Sequence, residues 1–564
     1  MRNKILTLVL TVALVSLIGV FTAAGAQVPR QQNFPAPAAK FTNAIAFDVS
    51  PPVRSLPLAV RVYFSEVERE IRPEGGIIAK DRGFSGDTVA QRSLDRRPNI
   101  PNPLMTFEGL ANTGNPFLVA PPDPNGDVGP NHYVEMVNLI FDIYDKQGNS
   151  LLGPTQLGDL WTGFAIDDCT DLSGDPIVLY DHLTDRWLLS QFTTRGPIFY
   201  NCVAISQTSD PTGAYFRYAF SAGEFFPDYP KYGVWPKSFL LTSRDFGPNG
   251  EYGISVYALE KDKMIVGDPS ARSVKFFLDS AQIPIYLMGD GLLPADMDGH
   301  HLPSSNSPAP IVGTQDDDGP YGAPFDALNI WELVIKWRAN PIASLNLATQ
   351  LAVAPFDSAF PCGVVPGSQP PSARDCLPEP GITDGSRFLD ILSYRQRPTW
   401  RLAYRKFAGH ASIVTNQSVE AAPDVAGVRW YEIRRDTTGY SLFQQGTYAP
   451  DDGVHRWMGS TAMDRKGNMA LGYSVTNATD VFPGIRYTGR LRKDTLGEMT
   501  LGEGTIIDGT GSQQTTSSRW GDYTSMNVDP TDDCTFWYVN EYYAVTSTAN
   551  WQTRIGSFRL PGCN

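Results

Sequence analysis

The chain has 564 residues, a formal net charge of −14, 51 Gly and 45 Pro. Gly and Pro together make about 17% against roughly 12% in average usage, which argues against helical bundles and coiled coils, because both residues interrupt helices. The acid excess excludes the basic footprint a nucleic-acid partner needs, and an aromatic fraction of 11% excludes wholesale disorder.

Arg2 and Lys4 precede an uncharged apolar run, Ile5–Ala26, that ends in Ala24-Gly25-Ala26. This is the pattern of a signal peptide, residues 1–26, cleaved before Gln27. The expected localisation is therefore secreted, periplasmic or extracellular, and no later stretch is long and apolar enough to span a membrane. Residues 27–100 read as a Pro-rich and polar leader or linker with one strand-like piece, Leu58–Phe64. Export permits disulfides. Nearest-neighbour pairing of the six cysteines gives Cys169–Cys202, Cys362–Cys376 and Cys534–Cys563, one of about 15 connectivities.

From residue 101 to 564 short apolar runs alternate with Asp, Asn, Gly and Pro turns. The runs include His132–Asn138, Ile177–Tyr180, Trp187–Phe192, Phe199–Ser206, Ile254–Leu259 and Ile330–Trp337. The series continues with Trp400–Phe407, Ala411–Asn416, Val428–Arg434, Met469–Val475 and Phe536–Tyr543. Such spacing predicts an all-β chain. A recurring element, an opening polar residue, an apolar strand, an Asp turn and an aromatic strand, is clearest at Gly174–Gln191, His455–Tyr473 and Arg519–Tyr538, with turn residues Asp181, Asp464 and Asp529. Weaker copies open near Asp127, Asp228, Asp296 and Asp390. Seven openings about 66 residues apart predict a β-propeller of seven blades with long loops, six or eight being the alternatives. A segment near Leu104–Leu110 is expected to supply the last blade's fourth strand and close the ring.

The Asp-turn hairpins, with Asp464, Gly467 and Asn468 as the nearest approximation, resemble the Asp-box hairpins of sialidase-like propellers. The phrases PPDPNGDVGPNHYV at Pro121–Val134, HRWMGS at His455–Ser460, RWGDY at Arg519–Tyr523 and DDCTFWY at Asp532–Tyr538 resemble a widespread group of exported bacterial proteins. That resemblance covers roughly 115–564 and implies fold and export; it implies no activity.

In a propeller the residues that open the inner strands converge on one channel mouth. Here they are Asp127, Asp175, Asp228, Asp296, His410, Arg456 and Asp522, with Lys231, His455 and Arg519 nearby and Trp235, Trp457 and Trp520 as stacking faces; the alternative for His410 is one strand further out, because the fifth blade is poorly delimited. Carboxylates beside cationic and aromatic groups suit acid/base work on a glycosidic bond or the binding of a sugar. The catalytic candidates are Asp175, Asp228, Asp522, Glu541 and Tyr523. A sialidase-like set would draw on Arg456, Arg519, Tyr523 and Glu541. Asp123, Asn125 and Asp127 alternate oxygens as a Ca2+ loop does, although no Glu stands at the expected distance. Asp296, Asp298, His300 and His301 form a mixed cluster that reads as a solvated loop, and Asp316–Asp318 a like-charge turn. The expected protein is a monomeric, secreted propeller that binds an extracellular glycan or surface polymer. A glycoside hydrolase or sialidase-like enzyme, and a structural cell-envelope component, are the alternatives.

Overall fold

The computed structural model describes residues 34–563 apart from 62–85, 94–98, 173, 305–306, 360–374 and 516. The signal-peptide pattern and Cys362 lie outside the described residues.

The described chain is an all-β propeller. Short runs rich in Val, Ile and aromatics, separated by Gly and Asp turns, cannot bury themselves as single hairpins; stacking face to face buries both sides of each sheet. Among the described residues the strands form six sheets of five, five, nine, four, four and four strands; the nine-stranded one joins two antiparallel sets side by side, and each antiparallel set is one unit. Their innermost strands are Asn125–Val128, Ile177–Asp181, Phe226–Trp235, Leu293–Asp298, Thr399–Lys406, His455–Met463 and Ser525–Val528. Each adjoins the inner strand of the next unit, and the seventh adjoins the first. The fourth and fifth inner strands pair directly and in parallel, Ala295 opposite Leu402.

The last unit is completed from the N-terminal side. Met105–Ala111 pairs antiparallel with Gln552–Arg559, so the closing strand falls where the sequence places it. Glu135 of the first unit fastens this closure: its carboxylate accepts the Leu110 N–H at 2.8 Å and the Thr553 hydroxyl at 2.5 Å. The three Asp turns are hairpins between first and second strands. Asp464 Oδ1, for instance, accepts the N–H groups of Lys466 at 2.8 Å and Asn468 at 3.0 Å.

Where residues 27–100 are described, extended pieces of them are paired to outer strands of the propeller. Lys40–Asn43 pairs with Arg272–Asp279 and Ala46–Val49 with Tyr215–Gly223, the outer strands of the third and second units, and Ala90–Gln91 runs parallel to Tyr440–Tyr448 of the fifth. Covering those edges satisfies backbone groups that an outer strand leaves open. The strand-like piece from Leu58 forms no strand over Leu58–Arg61, and its remainder lies outside the described residues.

Cys169–Cys202 and Cys534–Cys563 are bonded as expected, with Cα separations of 6.0 and 5.6 Å. Cys376 is also in a disulfide. No helix among the described residues is long and apolar enough to cross a membrane.

Candidate functional site

The inner strands begin at one end of the ring, and the residues at that end depart from ordinary strand geometry. Asp123, Asp175, Tyr229, Gln396, Met458 and Asp522 all take left-handed φ values between 44° and 66°. A left-handed non-glycine residue costs about 1–2 kcal/mol, and such strain persists where the surroundings over-determine it, often at functional sites. Tyr229 and Met458 lie within inner strands and the other four just before theirs, each at a different inner strand, so the mouth is assembled from distant parts of the chain.

Four of the five catalytic candidates meet there. The Tyr523 hydroxyl donates to Asp175 Oδ2 at 3.0 Å, and the Tyr229 N–H reaches the same oxygen at 3.2 Å. Lys231 Nζ lies between two aromatic faces, 3.0 Å from the Tyr229 ring centroid and 3.3 Å from that of Tyr523. Asp522 is clamped by Arg519 and by Arg397, the latter at 3.2 Å. Asp228 meets Arg244 at 3.2 Å, and Arg244 also meets Asp290 at 2.8 Å. The Asp228 side chain keeps 21% of its exposure, whereas that of Asp522 keeps 7%. Asp123 closes the ring; its Oδ1 is buried with no hydrogen-bond partner.

Electrostatics divides these carboxyls. Burial raises Asp228 to about 6 against the pull of Arg244, with Asp175 adding to the rise. Burial also raises Asp175 and Asp123, although Lys231 and Arg519 draw both back. Asp522 goes the other way: despite its burial, Arg519, Arg397, Arg395 and Lys231 hold it below the usual carboxylate range. Burial pushes the Lys231 ammonium well below its ordinary value, aided by Arg397.

Several predicted site residues lie elsewhere. Asp127 and Asp296 sit toward the strand-closing end, in a cavity they share with Asp298, His182, His300 and Arg401. Asp127 accepts the Tyr180 N–H at 2.7 Å and Asp296 the Val234 N–H at 2.9 Å, so each rivets one inner strand to a neighbour. Burial puts Asp127 at about 7. His410 lies in the turn after the fifth inner strand, because that strand starts at Thr399 and not at Asp390. Arg456 is buried against Asp452 at 2.7 Å and Glu503 at 2.8 Å, inside the sixth unit. His455 accepts the Ala426 N–H at 3.3 Å, and burial lowers it to about 4. Trp457 and Trp520 pack on each other at 5.6 Å with no exposure, and Trp235 packs edge-on against Tyr404, so none offers a stacking face. Glu541 lies beneath the mouth, accepting the Gly521 N–H at 3.0 Å; Tyr523's partner is Asp175.

The Asp123–Asn125–Asp127 set does not fit Ca2+. Asn125 Oδ1 accepts the Val178 N–H at 2.9 Å, and Asp127 accepts from Val128, Tyr180 and Asn527. Those oxygens are spent on joining units.

Sequence reasoning missed Asp123 as a mouth residue, and it missed Tyr229, Arg244, Asp290, Arg395 and Arg397. One signal was available: Asp-Tyr recurs as Asp228-Tyr229 and Asp522-Tyr523, at two strand openings.

No protein-family model matches the chain, and no curated protein matches its sequence. Solved structures with a detectable likeness include an α-L-arabinanase of Penicillium chrysogenum in complex with arabinobiose, at 11% identity and a TM-score of 0.31, covering 69% of this chain and 96% of that one. The GH93 α-L-arabinofuranosidase of Fusarium graminearum gives 8% and 0.29, covering 68% and 93%. The Trypanosoma rangeli sialidase gives 8% and 0.28, covering 69% and 54%. At such values the likeness says nothing of chemistry.

Proposed function

We propose that the protein is an exported, seven-bladed β-propeller that hydrolyses an extracellular glycan at the mouth where its inner strands begin. The observation that carries this reading is the set of carboxyls gathered at the mouth in unlike surroundings: Asp228 meets Arg244 and keeps 21% of its side-chain exposure, whereas Asp522 keeps 7% between Arg519 and Arg397. Asp228, partly exposed and raised to about 6, stands in the same electrostatic network as Asp522, which the arginines hold ionised. Environments that push two carboxyls apart in this way assign an acid and an anion. Asp228 protonates the leaving oxygen. Asp175, raised by burial but drawn back by Lys231 and by the Tyr523 hydroxyl, serves as base or nucleophile. Asp522 stays ionised and offsets positive charge that develops on the sugar ring.

Two further features support the reading. The mouth joins loops from the whole chain, so a bound sugar would be fixed by several units at once. The disulfides, with Cα separations of 6.0 and 5.6 Å, suit an oxidising compartment.

Binding without turnover is the second reading, favoured by the two arginines already engaged with Asp522. A panel of chromogenic glycosides together with a glycan array, run on the full chain and on Asp228→Asn, separates the two. Hydrolysis that falls about 100-fold or more in the variant is expected, as for loss of a general acid. Glycan binding with no turnover in the wild type would establish the second reading, and turnover undiminished in the variant would remove Asp228 from its role.

A further inference from the structure

Pro121-Pro122-Asp123 leads into the first inner strand, and Asp123 takes a left-handed φ of 51°. Its N–H donates to the Gly521 carbonyl at 3.1 Å, which sets it beside Asp522. Asn138 ties the same segment to the other side of the mouth. It donates through its N–H to the Pro122 carbonyl at 2.7 Å and through Nδ2 to the Pro121 carbonyl at 2.8 Å, while its Oδ1 accepts the Asp175 N–H at 2.9 Å. Asp123 is thereby held between Asp175 and Asp522, whose carboxyls are the anions acting on it. It is 2% exposed, and its Oδ1 is buried with no hydrogen-bond partner. A buried acceptor left unsatisfied is costly, and strained backbone that keeps one in place at a mouth points to a ligand.

The cations around it are already engaged. Arg244 meets Asp228 at 3.2 Å and Asp290 at 2.8 Å, Arg395 meets Asp290 at 3.2 Å, and Arg397 and Arg519 both clamp Asp522. Lys231 is enclosed by the rings of Tyr229 and Tyr523. Arg456, the other arginine a sialidase-like set would draw on, is buried in the sixth unit against Asp452 and Glu503. A ligand carboxylate needs an arginine fork of its own, and at this mouth it would lie against Asp123, Asp175 and Asp522, like charges that repel it.

We propose that the mouth takes an uncharged sugar, neither a sialic nor a uronic acid, and that Asp123 Oδ1 accepts a hydrogen bond from one of its hydroxyls. The inference rests on the reading of the mouth as a glycan site and adds the substrate class. A hydroxyl donor satisfies the buried oxygen, whereas a sugar without that hydroxyl leaves it desolvated and unpaired, so Asp123 discriminates between the two. Its role is a substrate contact, separate from the acid and base roles of Asp228 and Asp175.

The test sets p-nitrophenyl pentosides and hexosides against a p-nitrophenyl glucuronide and a methylumbelliferyl sialoside, with a glycan array for binding. Asp123→Gly keeps the left-handed backbone and removes the carboxyl. Asp123→Asn also tolerates that backbone and removes the charge; melting temperatures show which variants are folded. Only uncharged probes are expected to bind and turn over, with kcat/KM or affinity about 10-fold or more lower in Asp123→Gly, as for loss of a hydrogen bond to a charged group, and lower in the same direction in Asp123→Asn. Among monodeoxy analogues of the preferred probe, one should lose a like amount in the wild type and nothing further in Asp123→Gly. Preference for the glucuronide or the sialoside overturns the substrate class and leaves the hydrolytic reading standing. Undiminished use of uncharged probes by the folded variants removes Asp123 from the contact. Neither turnover nor array binding with any probe takes down the glycan reading, and this inference with it.

Discussion

At the residue scale the mouth is a set of side chains whose charges are set by one another. Asp228 acts as an acid only while protonated, so with its value at about 6 the turnover of the wild type should fall as pH rises through that point. Asp228→Asn should lose both the rate and this basic limb, measured as kcat/KM against pH. Tyr523→Phe removes the hydroxyl that favours the charged form of Asp175. Asp175 then titrates at a higher pH, and the acidic limb of the profile should move up with it; an unmoved limb would separate Asp175 from the base role. The acids Asp175, Asp228 and Asp522 were legible because they open apolar strands in a repeat. Arg244 was not, because it reaches the mouth from the second strand of its unit, paired opposite Asp228 across the hairpin. Arg397 was hidden by a different cause: the turn-rich stretch before Thr399 blurred the start of the fifth inner strand, and Asp390 stood in its place.

At the element scale the ring depends on strands brought from far away in sequence. Gly109 of the closing strand lies against the Glu135 latch, where an added Cβ would come within 2.5 Å of Glu135 Oε2 and against Thr553 Oγ1. Gly109→Ala should therefore destabilise the protein by about 1–3 kcal/mol, the range for overpacking a close contact, read from the midpoint of chemical denaturation. Gly114 is the control: its added Cβ would meet nothing closer than 3.4 Å, so Gly114→Ala should cost less. The closing strand could be read from the sequence because the last repeat lacks a partner and Leu104–Leu110 alternates suitably. The added strands at Lys40–Asn43 and Ala46–Val49 could not: each is four residues long and partly exposed, with no alternation for a pattern to catch. Asp48 shows what holds one of them, meeting the buried Arg217 through two hydrogen bonds of 2.7 and 2.6 Å.

At the scale of the whole molecule, a chain of net charge −14 buries acids that the sequence presents as ordinary surface charge. Burial raises both Glu135 and Glu379 to about 8. A carboxyl raised on folding binds its proton more tightly in the native state, so the stability it contributes is complete below its unfolded value and is lost as pH rises through about 8. Histidine works in the opposite sense but lower down, since His455 at about 4 makes the native state gain stability only up to its unfolded value near 6.5. Lys231, lowered on folding by burial, also opposes the carboxyls, at pH values below its unfolded value. A difference measurement removes these shared terms. Glu379 accepts one hydrogen bond, from the Gln513 N–H at 2.9 Å, and its other oxygen is unpartnered, so Glu379→Gln keeps the shape and deletes the titration. Between pH 6.5 and 8 the unfolding free energy of the wild type should fall relative to that of Glu379→Gln by about 1 kcal/mol per pH unit, close to the limit for one proton. Parallel curves across that interval would mean that Glu379 is ionised in the native state, with an unseen cation or donor beside it.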